Sequence, residues 1–171
     1  MDNDDFDYAE AFWRHRDAES AAMPRAELKG AIEDFLKSHT TLALATAVND
    51  FVRCTPLEYV YDQGVLWMMS EGGLKFRALR TNLNVCPAIF EPFGSGALQG
   101  MQVTGRIEFV DAWSREYNSF LELKGINSDL IRGMERPMPL LKLVPTEIDF
   151  LNAGFKKQGY GPRQHLDNEN A

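Results

Sequence analysis

Two spacings of hydrophobic residues divide the chain. Up to residue 38 the apolar positions recur at helical intervals, and from residue 41 onward they mostly alternate. Residues 8–22 are rich in Ala, Glu and Arg, which are strong helix formers. The apolar stripe there is weak, because Phe12 shares its face with His15, Glu19, Ala11 and Ala22. Such a helix is expected to lie across a surface or a partner chain. Pro24 suits the first position of a second helix. Leu28, Ala31, Ile32, Phe35 and Leu36 give that helix one apolar face, and it should end near Ser38 or His39.

Residues 41–48, TLALATAV, read as a strand and Asn49-Asp50 as a tight turn. The answering strand is FVRCTPLEYVY, 51–61, in which Pro56 implies an edge position or a bulge. Asp62-Gln63-Gly64 then turns the chain into VLWMMS, 65–70, so that two hairpins in a row predict an antiparallel meander. Gly72-Gly73 ends the third strand. LKFRALRTN (74–82) is a short basic helix, VCPAIFE (85–91) a strand and PFGSGALQG (92–100) a flexible loop. Along residues 101–110, Met101, Val103, Ile107 and Phe109 face one side, and Gln102, Thr104, Arg106 and Glu108 the other. Gly105 falls on the apolar side, where a missing side chain permits a close backbone approach or a bend. A helix at 113–124 and a strand at 139–150, kinked at Pro145, complete the pattern. Six antiparallel strands in one small chain would leave open edges unless they curl into a barrel. The expected fold is therefore mainly β with flanking helices (α+β). One domain is expected over 1–171: helices at 1–38, a barrel with inserted helices at 40–152, and a polar tail at 153–171 whose end, GYGPRQHLDNENA, is expected to be mobile.

Composition narrows the function. The hydrophobic share of 44% and charged share of 25% are ordinary for a globular chain. A net charge of −7 argues against the broad basic face of a nucleic-acid binder. No apolar run approaches the length of a membrane span, and the run 140–144 is interrupted by Lys142, so no membrane span is expected. The acidic start MDNDDFDYAE is unlike a secretory leader, and a cytoplasmic location is expected. Cys54 and Cys86 are too few for a disulfide scaffold and are expected to be buried, reduced thiols in strands. His15, His39 and His165 are scattered, and neither HExxH nor a Cys/His cluster supports zinc. The lack of a GxSxG elbow leaves a hydrolase without support.

The chemistry concentrates at Ser70-Glu71-Gly72-Gly73-Leu74-Lys75. A hydroxyl closes a strand, two glycines free the backbone, and a lysine opens a helix whose amides would favour an anion. Arg77 and Arg80 add positive potential. This arrangement is a candidate phosphate cradle. A plain glycine turn before a solvated basic helix is the simpler reading of the local sequence alone, and the spacing is not that of a Walker loop. Arg53, between Val52 and Cys54, could grip a phosphate bidentately or reach water from an edge strand. Gln99 and Gln102 could reach the edge of a heteroaromatic ring, although glutamine on a strand face is common. Glu58 reads as structural, and Tyr59 and Trp67 as core.

Taken in order, LATAV, RCTPLEYVY, LWMMSEGGLKF, RTNLNVCPAIFE and QVTGRIEFVD make residues 35–110 resemble the pyridoxamine 5′-phosphate oxidase-like family of FMN-binding split β-barrels. The resemblance implies a six-stranded antiparallel split β-barrel with FMN as cofactor. It assigns Arg53, Ser70 and Lys75 to the FMN phosphate. It runs the backbone of Cys54, Thr55 and Pro56 along the flavin ring, and makes Gln102, or Gln99, a polar ring contact. It also implies a homodimer with the flavin between subunits, a small-molecule substrate and a nicotinamide electron donor. The C-terminal KKQGYGPRQHL departs from the paired arginines and histidine of true oxidases, so pyridoxamine phosphate is not the expected substrate. The expected function is an FMN-dependent oxidoreductase. The alternative is a flavin- or haem-binding sensor or stress protein without turnover, and a deazaflavin is a third cofactor to consider.

Overall fold

Helices α1 (Asn3–Ala18) and α2 (Arg25–Ser38) precede strands β1 (Thr41–Val48), β2 (Phe51–Glu58), β3 (Val60–Asp62) and β4 (Val65–Met69). A single helical turn, α3 (Lys75–Leu79), leads to β5 (Asn84–Phe90) and the long β6 (Gln99–Val110). Helices α4 (Arg115–Lys124) and α5 (Ser128–Arg132) follow, then β7 (Leu140–Asn152), a 3-10 helix (Ala153–Gln158) and β8 (Arg163–Asp167). This computed structural model describes residues 3–92 and 98–167. The loop expected at 92–100 falls largely outside the described residues, as does the side chain of Trp13.

Among the described residues the strands number eight rather than six. They form one antiparallel sheet in the order β2-β1-β5-β6-β7-β4-β3, with β8 added beside β7. The sheet curls into a half-barrel, because its two end strands, β2 and β3, are separated in sequence by Tyr59 alone. The expected single strand over 51–61 is thus two strands at opposite ends of the sheet. Both expected hairpins form, β1 with β2 and β3 with β4, but they do not join into one meander: the sheet is completed by β1 pairing with β5 and β4 with β7. The break occurs at Tyr59, whose buried ring leaves the pleat. Its backbone N–H donates to the Thr40 carbonyl at 2.8 Å, and its hydroxyl to the Leu36 carbonyl at 2.8 Å.

Local chemistry explains the joints. Between β3 and β4 a two-residue loop carries Gln63 and Gly64, both at positive φ (49° and 86°), a backbone whose twist suits a hairpin. Between Thr104 and Gly105 the β6–β7 ladder shifts register. A Cβ on Gly105 would collide with the Val144 carbonyl and lie 2.8 Å from Leu143 Cδ1, so the absent side chain permits the approach. Ser114 caps α4 by accepting from the Tyr117 N–H at 3.1 Å, and Gly125 ends it in the left-handed region.

The main core fills the concave side. Leu42, Leu44, Met68, Val103, Ile107 and Leu143 from the sheet meet Leu28, Ile32 and Leu36 of α2. A second cluster on the other side joins Tyr117, Phe120 and Leu121 of α4 with Ile131 of α5, and Trp67 packs against it. Up to Asp167 the C-terminal segment is a 3-10 helix and a strand rather than a mobile tail, and residues 168–171 of that expected tail lie outside the described residues. In β8, Gln164 and Leu166 are buried while His165 and Asp167 face outward. Two inward positions in a five-residue polar strand leave too faint a period to be read in advance. The cysteines also differ from expectation: Cys54 is exposed and Cys86 half-buried, both as free thiols. They lie on the convex face, where nothing in the described chain covers the end of the sheet.

Candidate functional site

The glycine turn after β4 folds back on itself. The Ser70 N–H donates to the Pro139 carbonyl at 3.0 Å, which seats the end of the strand. The Ser70 hydroxyl accepts from the Gly72 N–H and donates to the Gly72 carbonyl, each at 3.2 Å. Gly72 and Gly73 stand at φ 124° and 103°, a backbone that side-chain-bearing residues rarely adopt. This reversal brings Lys75 Nζ against the Gly72 carbonyl, to which it donates. Lys75 is only 3% exposed, and no carboxylate lies within ion-pair distance of it among the described residues. Burial pushes its pKa below the usual 10.5. An ammonium has three N–H donors, and a buried charge normally requires a partner. The arrangement can therefore accept an anion at the turn. The helix adds little: α3 has five residues, and the N–H groups of Phe76 and Arg77 already donate to the Gly73 and Leu74 carbonyls. The glycines and the lysine make this site, not a helix terminus.

Arg53 lies on β2, opposite Thr46 of β1, and is exposed. Two residues earlier on the same strand face, Phe51 carries the Arg77 guanidinium 4.6 Å above its ring. The helical turn that begins with Lys75 therefore packs against the edge strand that bears Arg53. Thr55 shares this face and is half-buried.

Cys54 and Pro56 point the other way. On the convex face Ala43, Ala45 and Ala47 of β1 are opposed by Pro56, Cys54 and Val52 of β2. On their other side Ala43 and Ala45 meet Ala88 and Cys86 of β5. The register extends one row across six strands: Pro56, Ala43, Ala88, Gln102, Asp149 and His165. A cavity of about 240 Å³ lies along this row, lined by Ala88, Phe90, Gln102, Asp149 and Arg163 among others. A larger one of about 520 Å³ shares Arg163 and reaches Arg16 and Lys156. Arg163 is also bridged to Asp17 at 3.3 Å. A further cavity of about 630 Å³ is a groove between the β3–β4 hairpin and α4, away from these residues. Glu58, on the β2 end of the sheet, pairs with Lys124 at 3.3 Å.

The structure thus places Ser70 and Lys75 together at one turn, and Cys54, Pro56 and Gln102 on one sheet face. Arg53 and Thr55 occupy the opposite face of β2. The sequence reading missed Asp149, Arg163 and His165. For Arg163 and His165 the alternation in RQHLD was the only signal, and five residues is short for that test; Asp149 is one more polar residue of the expected last strand.

An antiparallel half-barrel with flanking helices and a glycine-lysine turn after its fourth strand defines a class: the chain has the split-barrel fold of the pyridoxamine 5′-phosphate oxidase-like proteins. Three solved structures display the likeness. An FAD-binding protein from Mesorhizobium loti superposes with a TM-score of 0.58 at 19% identity, covering 69% of this chain and 87% of its own. A Clostridium acetobutylicum protein of the pyridoxine-phosphate oxidase family, related to general stress protein 26, gives 0.63 at 12% identity, over 86% and 98%. HutZ, the haem storage protein of Vibrio cholerae, gives 0.56 at 19% identity, over 69% and 89%. No protein-family model and no curated protein matches the sequence. At these identities the likeness is one of fold.

Proposed function

We propose that this chain is an FMN-binding oxidoreductase whose flavin lies between two copies of the protein. The observation that carries the reading is Lys75, a buried ammonium with one carbonyl acceptor and no carboxylate partner. A phosphate would supply the missing charge, and the positive φ of Gly72 and Gly73 lets the backbone approach it closely. Arg53 and Ser70 complete the grip on the phosphate. The ring runs along the backbone of Cys54, Thr55 and Pro56, with Gln102 as its polar contact. FMN supplies the redox chemistry when bound, and the protein supplies binding, orientation and a dry pocket. The convex alanine-rich face is apolar but too flat to enclose a ring, since ligand sites bury most of the ligand; a second copy closes it. The substrate is a small organic molecule reduced or oxidised with electrons from a nicotinamide. The acidic balance agrees with a cytoplasmic enzyme.

The test is the visible spectrum and mass of the small molecule that co-purifies, with FMN and riboflavin titrations alongside. Arg53→Ala should weaken FMN at least as much as Lys75→Ala, because a fork of donors is lost. Ser70→Ala should weaken it less, because a neutral hydroxyl gives a weaker bond. Riboflavin should respond to none of the three. Failure to bind FMN at saturation would sink the flavin reading. The structural likeness to a haem storage protein supports a second reading, a haem- or flavin-binding protein without turnover. A haem spectrum, or a flavin that no nicotinamide and acceptor panel turns over, would select it.

A further inference from the structure

We propose that β8 is a protonation-dependent clasp, closed while His165 is an imidazolium and loosened when it becomes neutral. Both ring nitrogens face carboxylates: Nδ1 lies 2.8 Å from Asp149 Oδ1 on β7, and Nε2 2.9 Å from Asp167 Oδ1 on β8 itself. A neutral imidazole has one N–H and one lone pair. It can donate to one of these oxygens only, and must turn its lone pair on the other. The cation donates to both.

The other charges around the ring sharpen this dependence. Glu147 of β7 stands opposite Asp167, and so adds a third carboxylate to the patch. Arg163, on the same β8 face, is bridged to Asp17 of α1. Arg25 of α2 spends its contact on the Asp167 backbone carbonyl at 2.7 Å. Gln102 of β6, beside Asp149, is neutral. His165 is therefore the cation that sits between Asp149 and Asp167.

The clasp holds more than its own strand. The buried Gln164 accepts from the Met23 N–H at 2.8 Å, and donates to the carbonyls of Gly161 at 2.8 Å and Ala21 at 3.3 Å. Leu166 is packed in the main core. Release of β8 unties the linker between α1 and α2.

The carboxylates raise the imidazole pKa above its usual 6.5, against a smaller opposing effect of burial. The clasp is therefore complete below about 6.5 and is lost as pH rises through the raised value. Each unit of raise corresponds to about tenfold in the docking equilibrium. Amide hydrogen exchange over 159–167, expressed as protection factors that remove the intrinsic pH effect, should show protection falling between pH 6 and 9, by up to about tenfold for each unit by which the imidazole pKa is raised. His165→Gln, neutral throughout, should lower protection at pH 6 to the level that the wild-type chain shows at pH 9, and should remove the pH dependence. His165→Lys, charged throughout, should flatten the profile. By NMR the His165 ring should titrate above the usual 6.5, and Asp149→Asn should lower its pKa. PH-independent protection in the wild-type chain, or a ring that titrates at or below 6.5, overturns the proposal.

Discussion

The Tyr59 hydroxyl donates to the Leu36 carbonyl at 2.8 Å, and this bond sits where the chain passes from one end of the sheet to the other. Leu36 is in the last turn of α2, where carbonyls lack helical partners. Tyr59→Phe keeps the ring and leaves that carbonyl buried without its donor. A loss of about 1–3 kcal/mol in unfolding free energy is expected, measured by urea denaturation. An unchanged midpoint would mean that the ring alone fixes the crossover.

Lys75 should act in opposite directions on stability and on binding. In the protein without cofactor its buried ammonium is a cost. The folded pKa is lowered from 10.5, so the cost is fully present below the folded value and fades as pH rises from there toward 10.5. Lys75→Met should raise the melting temperature of the cofactor-free protein at pH 7. The gain should be on the order of 1 kcal/mol, or roughly 2–4 °C. The same change should weaken FMN about ten- to a hundredfold and leave riboflavin unchanged. Equal weakening of both ligands would remove Lys75 from the phosphate site, and no weakening of either would return it to a plain structural role.

Much of the fold could be read before the structure because two periods do not overlap. TLALATAV buries Leu42, Leu44 and Thr46 and leaves the alanines outward, as alternation requires. Helix α2 buries Leu28, Ile32, Phe35 and Leu36, the stripe its spacing marks. What could not be read was long-range pairing. The string PLEYVY continues the strand period through Tyr59, and only tertiary burial of that ring divides it. Pro56 did mark an edge strand, because β2 ends the sheet. The site was legible in kinds of residue rather than in geometry. A lysine after two glycines suggested an anion, yet its burial without a carboxylate is a fact of packing. The convex face was hidden because alanine is equally at home on either side of a strand.

Two glycines should respond with opposite signs to the same substitution. Gly105→Ala forces a Cβ into the Val144 carbonyl and the Leu143 side chain, with Pro145 Cα at 3.1 Å. Backbone on the far side cannot yield cheaply, so a cost of at least about 1–3 kcal/mol is expected. Gly30→Ala, inside α2, meets nothing within 4 Å and should gain about 1 kcal/mol from helix propensity alone. Thermal melts of the two variants check the pair. A stable Gly105→Ala would mean that the β6–β7 register shift can relax.

The last prediction concerns the convex face. Ala45 stands between Cys54 and Cys86 at the centre of a face built from small side chains. Large apolar residues flank it in the open, with Val52 71% and Phe90 59% exposed. Contiguous exposed apolar surface of this kind is usual where another chain docks, and an isologous face pairs most simply with its own copy about a two-fold axis. The wild-type chain should therefore sediment as a dimer at micromolar concentration. Ala45→Arg puts a long cation on the face without entering the core, since the inward positions of β1 are Leu42, Leu44 and Thr46. It should shift the population to monomer while leaving the far-ultraviolet circular dichroism unchanged. It should weaken FMN and riboflavin together, because the ring loses the wall supplied by the second copy while the phosphate turn is intact. That pattern is the reverse of the Lys75 result, in which FMN alone suffers, so the two variants separate the ring site from the phosphate site. A monomeric wild-type chain, or a dimer unaffected by Ala45→Arg with full flavin affinity, would place the interface elsewhere.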